Sequence, residues 1–319
     1  MDKLNWTFSG VEQTDGVGGV RALSVSDLNV VFQPIVELST GQTFAHEALV
    51  RCRRPEYPSP PVLFDAAVAE NACGRLGRLI REVAFSTAGD VPLFINLHPE
   101  ELSSRWLVRP DDPLCFHARP VFLEITETAA FTHFDLCKSV LNELCRRTGA
   151  LLVVDDFGAG HSNLQRVVDL LPAIVKLDLA LTRDLHRRPR SRAVVRHMVN
   201  LCAELGARVV AEGIEAVEEL ACARDLGVHY AQGYLLARPA TPPPAVAWPF
   251  GTSAPIAPRR PVVVGAKTDS HLRATAPPPP KRAQRARPSR RAPPPTSAVV
   301  VDDAFVTPLS QRKTKPPPT

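Results

Sequence analysis

The run LLVVDDFGAGHSNL, residues 151–164, drives four aliphatic residues into two adjacent carboxylates, Asp155 and Asp156, and then into a glycine-punctuated turn. One acid at the end of a strand is ordinary turn chemistry. Two in succession repel unless a cation lies between them or one turns away. The same interruption recurs along the chain. Glu47 and then Arg51 break TFAHEALVRC, Asn96 breaks LFINLH, and Glu124 breaks VFLEITE. Lys176 sits in AIVKLDLAL, Glu212 follows RVVA, and Gln232 lies in YAQGYLLA. Oxygen donors of this kind, with no matching Cys or His cluster, suit a hard cation such as Mg²⁺ or Mn²⁺. Adjacent aspartates can reach two such ions about 4 Å apart, an arrangement fitted to in-line displacement at phosphorus. Lysine and arginine among the acids argue for an anionic substrate such as a phosphate.

Those residues need elements that bring them to one place. Eight short apolar runs between residues 28 and 240 alternate with segments of helical period, among them FDLCKSVLNELCRRTG and SRAVVRHMVNLCAELGA. The runs show little polar alternation, which is how strands read when helices cover a parallel sheet. Only a few residues around STGQ separate the first two runs, so that pair predicts a hairpin. The spacing predicts an α/β fold: a modified (β/α)8 TIM-like barrel with an antiparallel first strand. A doubly wound open sheet is the rival architecture, but no GxGxxG follows any strand. In a barrel, side chains at the carboxyl ends of the strands converge on one face. That face would hold five carboxylates, two amides and one lysine, a set that is costly unless positive charge holds it together. Gly206 predicts the end of a helix.

Composition divides the chain. It is 319 residues long and 45% apolar, enough to bury a sizeable core. From Thr241 onward there are 13 Lys/Arg against 3 Asp/Glu, with 19 of the 32 prolines, whereas residues 1–240 carry 25 basic and 30 acidic groups. The expected organisation is a loosely structured leader over 1–27, a barrel over 28–240, and a disordered basic proline-rich tail over 241–319. The tail suits an anionic surface or a protein groove that reads polyproline II segments. It has no regularly spaced aromatics for stacking single-stranded nucleic acid. No apolar run is long enough for a membrane span, and the first residues lack the apolar core of a signal peptide. Seven scattered cysteines without a CxxC pair fit reduced thiols in a cytoplasm.

The motifs FQPIVEL, HEALVRCRR, FINLHPEEL, LEITET, DDFGAGHSNL, IVKLD, AEGIE and AQGYLLARP stand in this order over residues 28–240. In this the chain resembles the EAL-domain cyclic di-GMP phosphodiesterases. The resemblance implies hydrolysis of one phosphodiester of cyclic di-GMP to linear pGpG. It implies that Glu47, Asn96, Glu124 and Asp155 ligate a first Mg²⁺ or Mn²⁺. Asp155 and Asp156 would hold a second, with Glu212 completing it or acting as base. Lys176 would hold and polarise the attacking water, and Gln232 would line the same centre. Arg51 would contact a substrate phosphate, Leu49 would pack beside it, and Glu127 would anchor the loop after the fifth strand. A homodimer is the family expectation. The alternative is a receptor that binds cyclic di-GMP without hydrolysis and signals through its tail.

Two features depart from the family pattern. The loop reads DFGAGHSNL where DFGTGYSSL is usual, placing Ala159 and His161 at the threonine and tyrosine positions. His98 stands where serine is commoner. Neither His46, beside Glu47, nor His161 is a ligand type that an oxygen-rich site needs. His186 with RRPRSR reads as a solvated basic surface, and Cys52 as a core-facing thiol.

Overall fold

A computed structural model describes residues 18–102, 107, 109–126, 134–159 and 164–251, with the side chain of residue 166 left aside. Eight strands close into one barrel in chain order: β1 (Leu28–Glu37), β2 (Thr43–Cys52), β3 (Leu93–Asn96), β4 (Val121–Thr126), β5 (Leu151–Phe157), β6 (Ile174–Leu177), β7 (Arg208–Ala211) and β8 (Tyr230–Ala231). β1 runs antiparallel to both β2 and β8, and every other neighbouring pair is parallel. The exception has a local cause. A turn of five residues cannot cross a barrel, so β1 must fold straight back into β2. Gly41 closes that turn in the left-handed region, φ +74°, with its N–H donating to Glu37 O at 2.8 Å.

The helices are α1 (Pro60–Ala69), α2 (Cys73–Ala88), α3 (Phe134–Thr148), α4 (Leu164–Leu170), α5 (Leu179–Thr182), α6 (Pro189–Glu204) and α7 (Val217–Asp225). The two helices predicted from periodicity are α3 and α6, and Gly206 follows the end of α6 at φ +78°.

Alternation along the strands sorts the side chains into two cores. Val30, Phe32, Ile95, Leu123, Ile125 and Val209 face outward into the main layer between barrel and helices. Ile35, Ala45, Phe94, Phe122, Val153, Ile174, Val210 and Tyr230, one from each strand, fill the barrel as a separate plug. Its aromatics interlock. Phe94 stacks on Phe122 with centroids 4.4 Å apart, and Phe44 stacks on Tyr230 at 4.2 Å. Truncating one such ring to alanine typically costs about 3–5 kcal/mol.

The ordered body exceeds the expected 28–240 boundaries at both ends. Residues 20–22 and 25–27 form 3-10 turns, and Val20 and Leu23 are buried against Leu63, Phe64 and Leu76. Glu70 accepts from the N–H groups of Val20 and Arg21, and Arg54 pairs with Asp27 at 2.9 Å. At the other end, Ala240 exchanges two backbone hydrogen bonds with Phe32. The chain beyond it alternates, with Val246, Trp248 and Phe250 turned onto the main core and their neighbours Ala245, Ala247 and Pro249 exposed. Composition hid this segment. Its prolines read as disorder, while three apolar side chains at every second position are enough to dock it on the main core. The remainder of the expected leader and tail lies outside the described residues.

Candidate active site at the barrel mouth

The plug fixes what lies above it. Because side chains repeat their direction every second residue, the next inward position on each parallel strand is two residues further on. Two beyond Ala45, Phe94, Phe122, Val153, Ile174, Val210 and Tyr230 stand Glu47, Asn96, Glu124, Asp155, Lys176, Glu212 and Gln232. On β1, which runs the other way, the equivalent position is two before Ile35, and it holds Gln33. An apolar floor therefore carries a ring of eight polar side chains, one per strand, at one end of the barrel.

The ring is tightly connected. Lys176 Nζ lies 2.5 Å from Glu124 Oε1, 2.9 Å from Glu212 Oε1, 3.2 Å from Asp155 Oδ1 and 3.5 Å from Glu47 Oε2. Asn96 Nδ2 donates to Glu47 Oε1 at 3.2 Å, and Gln232 Nε2 donates to Glu47 Oε2 at 2.5 Å and to Gln33 Oε1 at 3.1 Å. Gln33 in turn donates to Ala237 O. Glu212 is held through its backbone: its N–H donates to Leu177 O at 3.1 Å, and its carbonyl accepts from Thr182 Oγ1 at 2.5 Å.

Asp156 reaches the mouth by a different route. Strict alternation would turn it away from Asp155. At this point the β5–β6 register shifts and Asp156 adopts a left-handed conformation, φ +57°, with its N–H donating to Asp155 Oδ1. A bulge of this sort re-aims one side chain at the end of a strand. Carboxylate oxygens of Asp155, Asp156 and Glu212 then lie within 4.8 Å of one another.

Electrostatics tell the same story. Burial pushes the Glu124 carboxyl well above the usual carboxylate range, and Glu47 and Asp155 push the same way, with Lys176 only partly opposing them. Burial also works against the Lys176 ammonium. The carboxylates of Asp155, Glu124, Glu212 and Glu47 together outweigh it and hold the amine well above its ordinary value. Both Glu124 oxygens and Lys176 Nζ are buried without hydrogen-bond geometry to any partner, although the ion-pair distances are short. One lysine cannot neutralise five carboxylates. An excess of buried carboxylate oxygens over positive charge is what divalent cations would satisfy, so the residues present fit the expected ions.

A cleft opens above the ring. Glu47, Asn96, Asp155, Asp156, Glu212 and Gln232 line it, as do Leu49 and Arg51 two and four residues beyond Glu47 on the same face of β2. Arg51 Nη1 donates to Val50 O at 2.8 Å. Glu124 and Lys176 form the buried floor beneath. Ten of the sequence-derived site residues thus meet in one place, while Glu127 and His161 lie outside the described residues. His46 is turned away from the mouth, as its odd-even position on β2 requires, and Cys52 Sγ sits against Asp27 O.

Sequence reasoning missed three features. Gln33 interrupts FQPIVEL as visibly as the other polar residues interrupt their strands, but in an antiparallel strand the inward end comes early. Tyr234 and Phe64 carried no signal, being one aromatic among many. The third is a second buried charge cluster, outside the mouth. Arg81 on α2 donates two hydrogen bonds to Asp112, at 3.1 and 2.8 Å, and one to Glu101 at 2.7 Å, with all three residues 0% exposed. Glu101 also accepts from the His98 N–H at 3.1 Å, tying down the segment that leaves Asn96.

Known proteins resemble this chain in sequence and fold. A model of the "EAL domain" family matches residues 20–239. The protein named cyclic di-GMP phosphodiesterase RocR, from Pseudomonas aeruginosa, is 34% identical over 235 residues, 69% of this chain and 59% of that protein. Cyclic di-GMP phosphodiesterase PdeR of Escherichia coli is 31% identical over 72% of this chain and 36% of its own length. The chain thus spans from about a third to three fifths of the curated relatives it matches. Among solved structures, the Klebsiella pneumoniae BlrP1 manganese/cy-diGMP complex superposes with a TM-score of 0.57 and 34% identity, over 67% of this chain and 56% of the other. An EAL domain protein from Listeria monocytogenes gives a TM-score of 0.60 at 27% identity, over 68% and 91%. A family match across the whole barrel, together with relatives 31–34% identical over about 70% of the chain, places this chain in the EAL domain family.

Proposed function

We propose that this chain is a metal-dependent cyclic di-GMP phosphodiesterase that opens one phosphodiester of the cyclic dinucleotide to give linear pGpG. The observation that carries the reading is the polar ring above the plug, with the buried Glu124 carboxylate at its base and Asp155, Asp156 and Glu212 clustered at its edge. Two divalent ions, Mg²⁺ or Mn²⁺, would be held by Glu47, Asn96, Glu124 and Asp155 on one side and by Asp155, Asp156 and Glu212 on the other. Such ions supply Lewis acidity at the phosphoryl oxygens and lower the pKa of a bound water.

The chain's own residues have distinct tasks. Lys176 is kept protonated by its ring of carboxylates, so it can donate to the attacking water and orient it but cannot take its proton. The proton must go to a carboxylate, and Glu212, 2.9 Å from Lys176 Nζ and on the cleft wall, would take it where it does not complete the second ion. Gln232 and Asn96 each donate to Glu47 and fix its carboxylate. Arg51, on the rim above, takes a phosphate oxygen, and Leu49 packs beside the ligand. Such a protein would work in the cytoplasm. Homodimerisation and docking of the tail on an anionic surface or a protein partner belong to the same reading. Among the described residues no helix is long and apolar enough to cross a membrane.

The test is turnover of cyclic di-GMP by the full chain with Mg²⁺ or Mn²⁺, with pGpG as the measured product. Glu47→Ala and Lys176→Ala should each lower the rate by about a hundredfold or more while the barrel stays folded. An unchanged rate in either variant contradicts the assigned roles. Binding of the dinucleotide without any pGpG would make the protein a receptor instead.

A further inference from the structure

Two aromatic rings line the cleft among the described residues, Phe64 and Tyr234. They are not equivalent. Phe64 is 2% exposed and its ring stacks on His98, centroids 5.6 Å apart and nearly parallel, so it serves as wall. Tyr234 is only half-buried. The guanidinium of Arg238 lies over one face of its ring, 4.3 Å from the centroid. That contact pins the ring where it lines the cleft.

The ring also stands on a rigid support. Tyr234 follows Gln232, the residue bonded to Glu47, by two positions. The Ile214 N–H donates to Gln232 O at 3.0 Å, and the Leu235 N–H donates back to Ile214 O at 3.1 Å. Gly233 between them packs so closely that an added Cβ would lie 2.0 Å from Ile214 O, so no other residue fits there. Leu236 and Ala237 N–H groups both return to Gly233 O. The turn therefore holds the ring at a set distance from the polar ring below. The rest of the wall, Leu49, Pro60, Ile80 and Pro239, is aliphatic.

We propose that Tyr234, braced by Arg238, is the stacking platform for a nucleobase of the substrate, and so a specificity residue for the activity proposed above. This inference rests on that reading. A planar base gains dispersion and electrostatic contact from an aromatic face that is already ordered, and an ordered ring loses little entropy on binding.

Steady-state kinetics of the full chain on cyclic di-GMP provide the test. Tyr234→Ala should raise KM by about tenfold or more, the loss expected for one base stack, while kcat stays within about threefold. Tyr234→Phe and Tyr234→Trp, which keep a ring, should stay near the parent, and the unfolding midpoint of Tyr234→Ala should stay within about 2 °C. Arg238→Ala should show a smaller rise in KM. If Tyr234→Ala keeps KM within twofold, or if Tyr234→Phe loses as much as Tyr234→Ala, the ring is not the contact and the inference falls alone. If the parent binds cyclic di-GMP without turnover, the same comparison is made on Kd. A parent that neither binds nor cleaves the dinucleotide overturns the proposed function and this inference together.

Discussion

Arg81→Met removes the one cation between two carboxylates that are, like the arginine itself, 0% exposed. Three charge-assisted hydrogen bonds go with it, two to Asp112 and one to Glu101. Methionine fills much of the same volume, so the cost is chiefly electrostatic: two acids stranded without a counter-ion. Breaking a buried ion pair in this way costs about 3–5 kcal/mol. For a body of this size, each kcal/mol moves the midpoint by about 2–4 °C, so thermal unfolding should fall by roughly 6–20 °C. A second variant separates charge from packing. Arg81→Met with Glu101→Gln and Asp112→Asn removes all three charges but keeps the oxygens that accept from His98 N and Leu114 N. It should recover most of the loss, because an uncharged cluster has nothing left to neutralise. Circular dichroism melts of the three proteins at pH 7 decide the matter. If Arg81→Met melts within about 2 °C of the parent, or if the neutral triple variant is no better than the single one, the cluster is not held by charge.

Two further outcomes follow from the packing. Burial holds the His98 imidazole down to about 4, from an ordinary 6.5, and its Nδ1 accepts the Glu100 N–H. The unfolded chain therefore takes a proton first as pH falls. Stability from this group is complete above about 6.5 and is lost progressively toward 4, a swing of about 3 kcal/mol. His98→Asn, which keeps an acceptor but does not titrate, should flatten that part of the midpoint-against-pH curve, and parallel curves would contradict the assignment. Truncation after Ala240 removes Val246, Trp248 and Phe250 from the main core. It should lower stability by about 3 kcal/mol relative to truncation after Gly251, since three half-buried side chains are exposed. Urea midpoints that coincide for the two truncations would show the segment is not holding the barrel.

Much of the site was legible in the chain itself, and for a local reason. A strand buried on both faces tolerates few polar residues, so Glu47, Asn96, Glu124, Asp155, Lys176, Glu212 and Gln232 stand out from apolar runs without any knowledge of their neighbours. The period of two places each of them above a plug residue, and the parallel direction of seven strands puts them all at one end. Tertiary structure decided what depends on direction, register and distant partners. Gln33 enters the ring because β1 runs backwards, Asp156 because a register shift undoes strict alternation, and residues 241–251 join the body because Val246, Trp248 and Phe250 find the main core. Arg81 meets Glu101 and Asp112 across 20 and 31 residues of chain, and Tyr234 is singled out only by the cleft beside it and the Arg238 guanidinium over its ring. Local pattern records how a residue relates to its own strand. Which charges end up buried together, and which ring faces an opening, follows from closing the barrel.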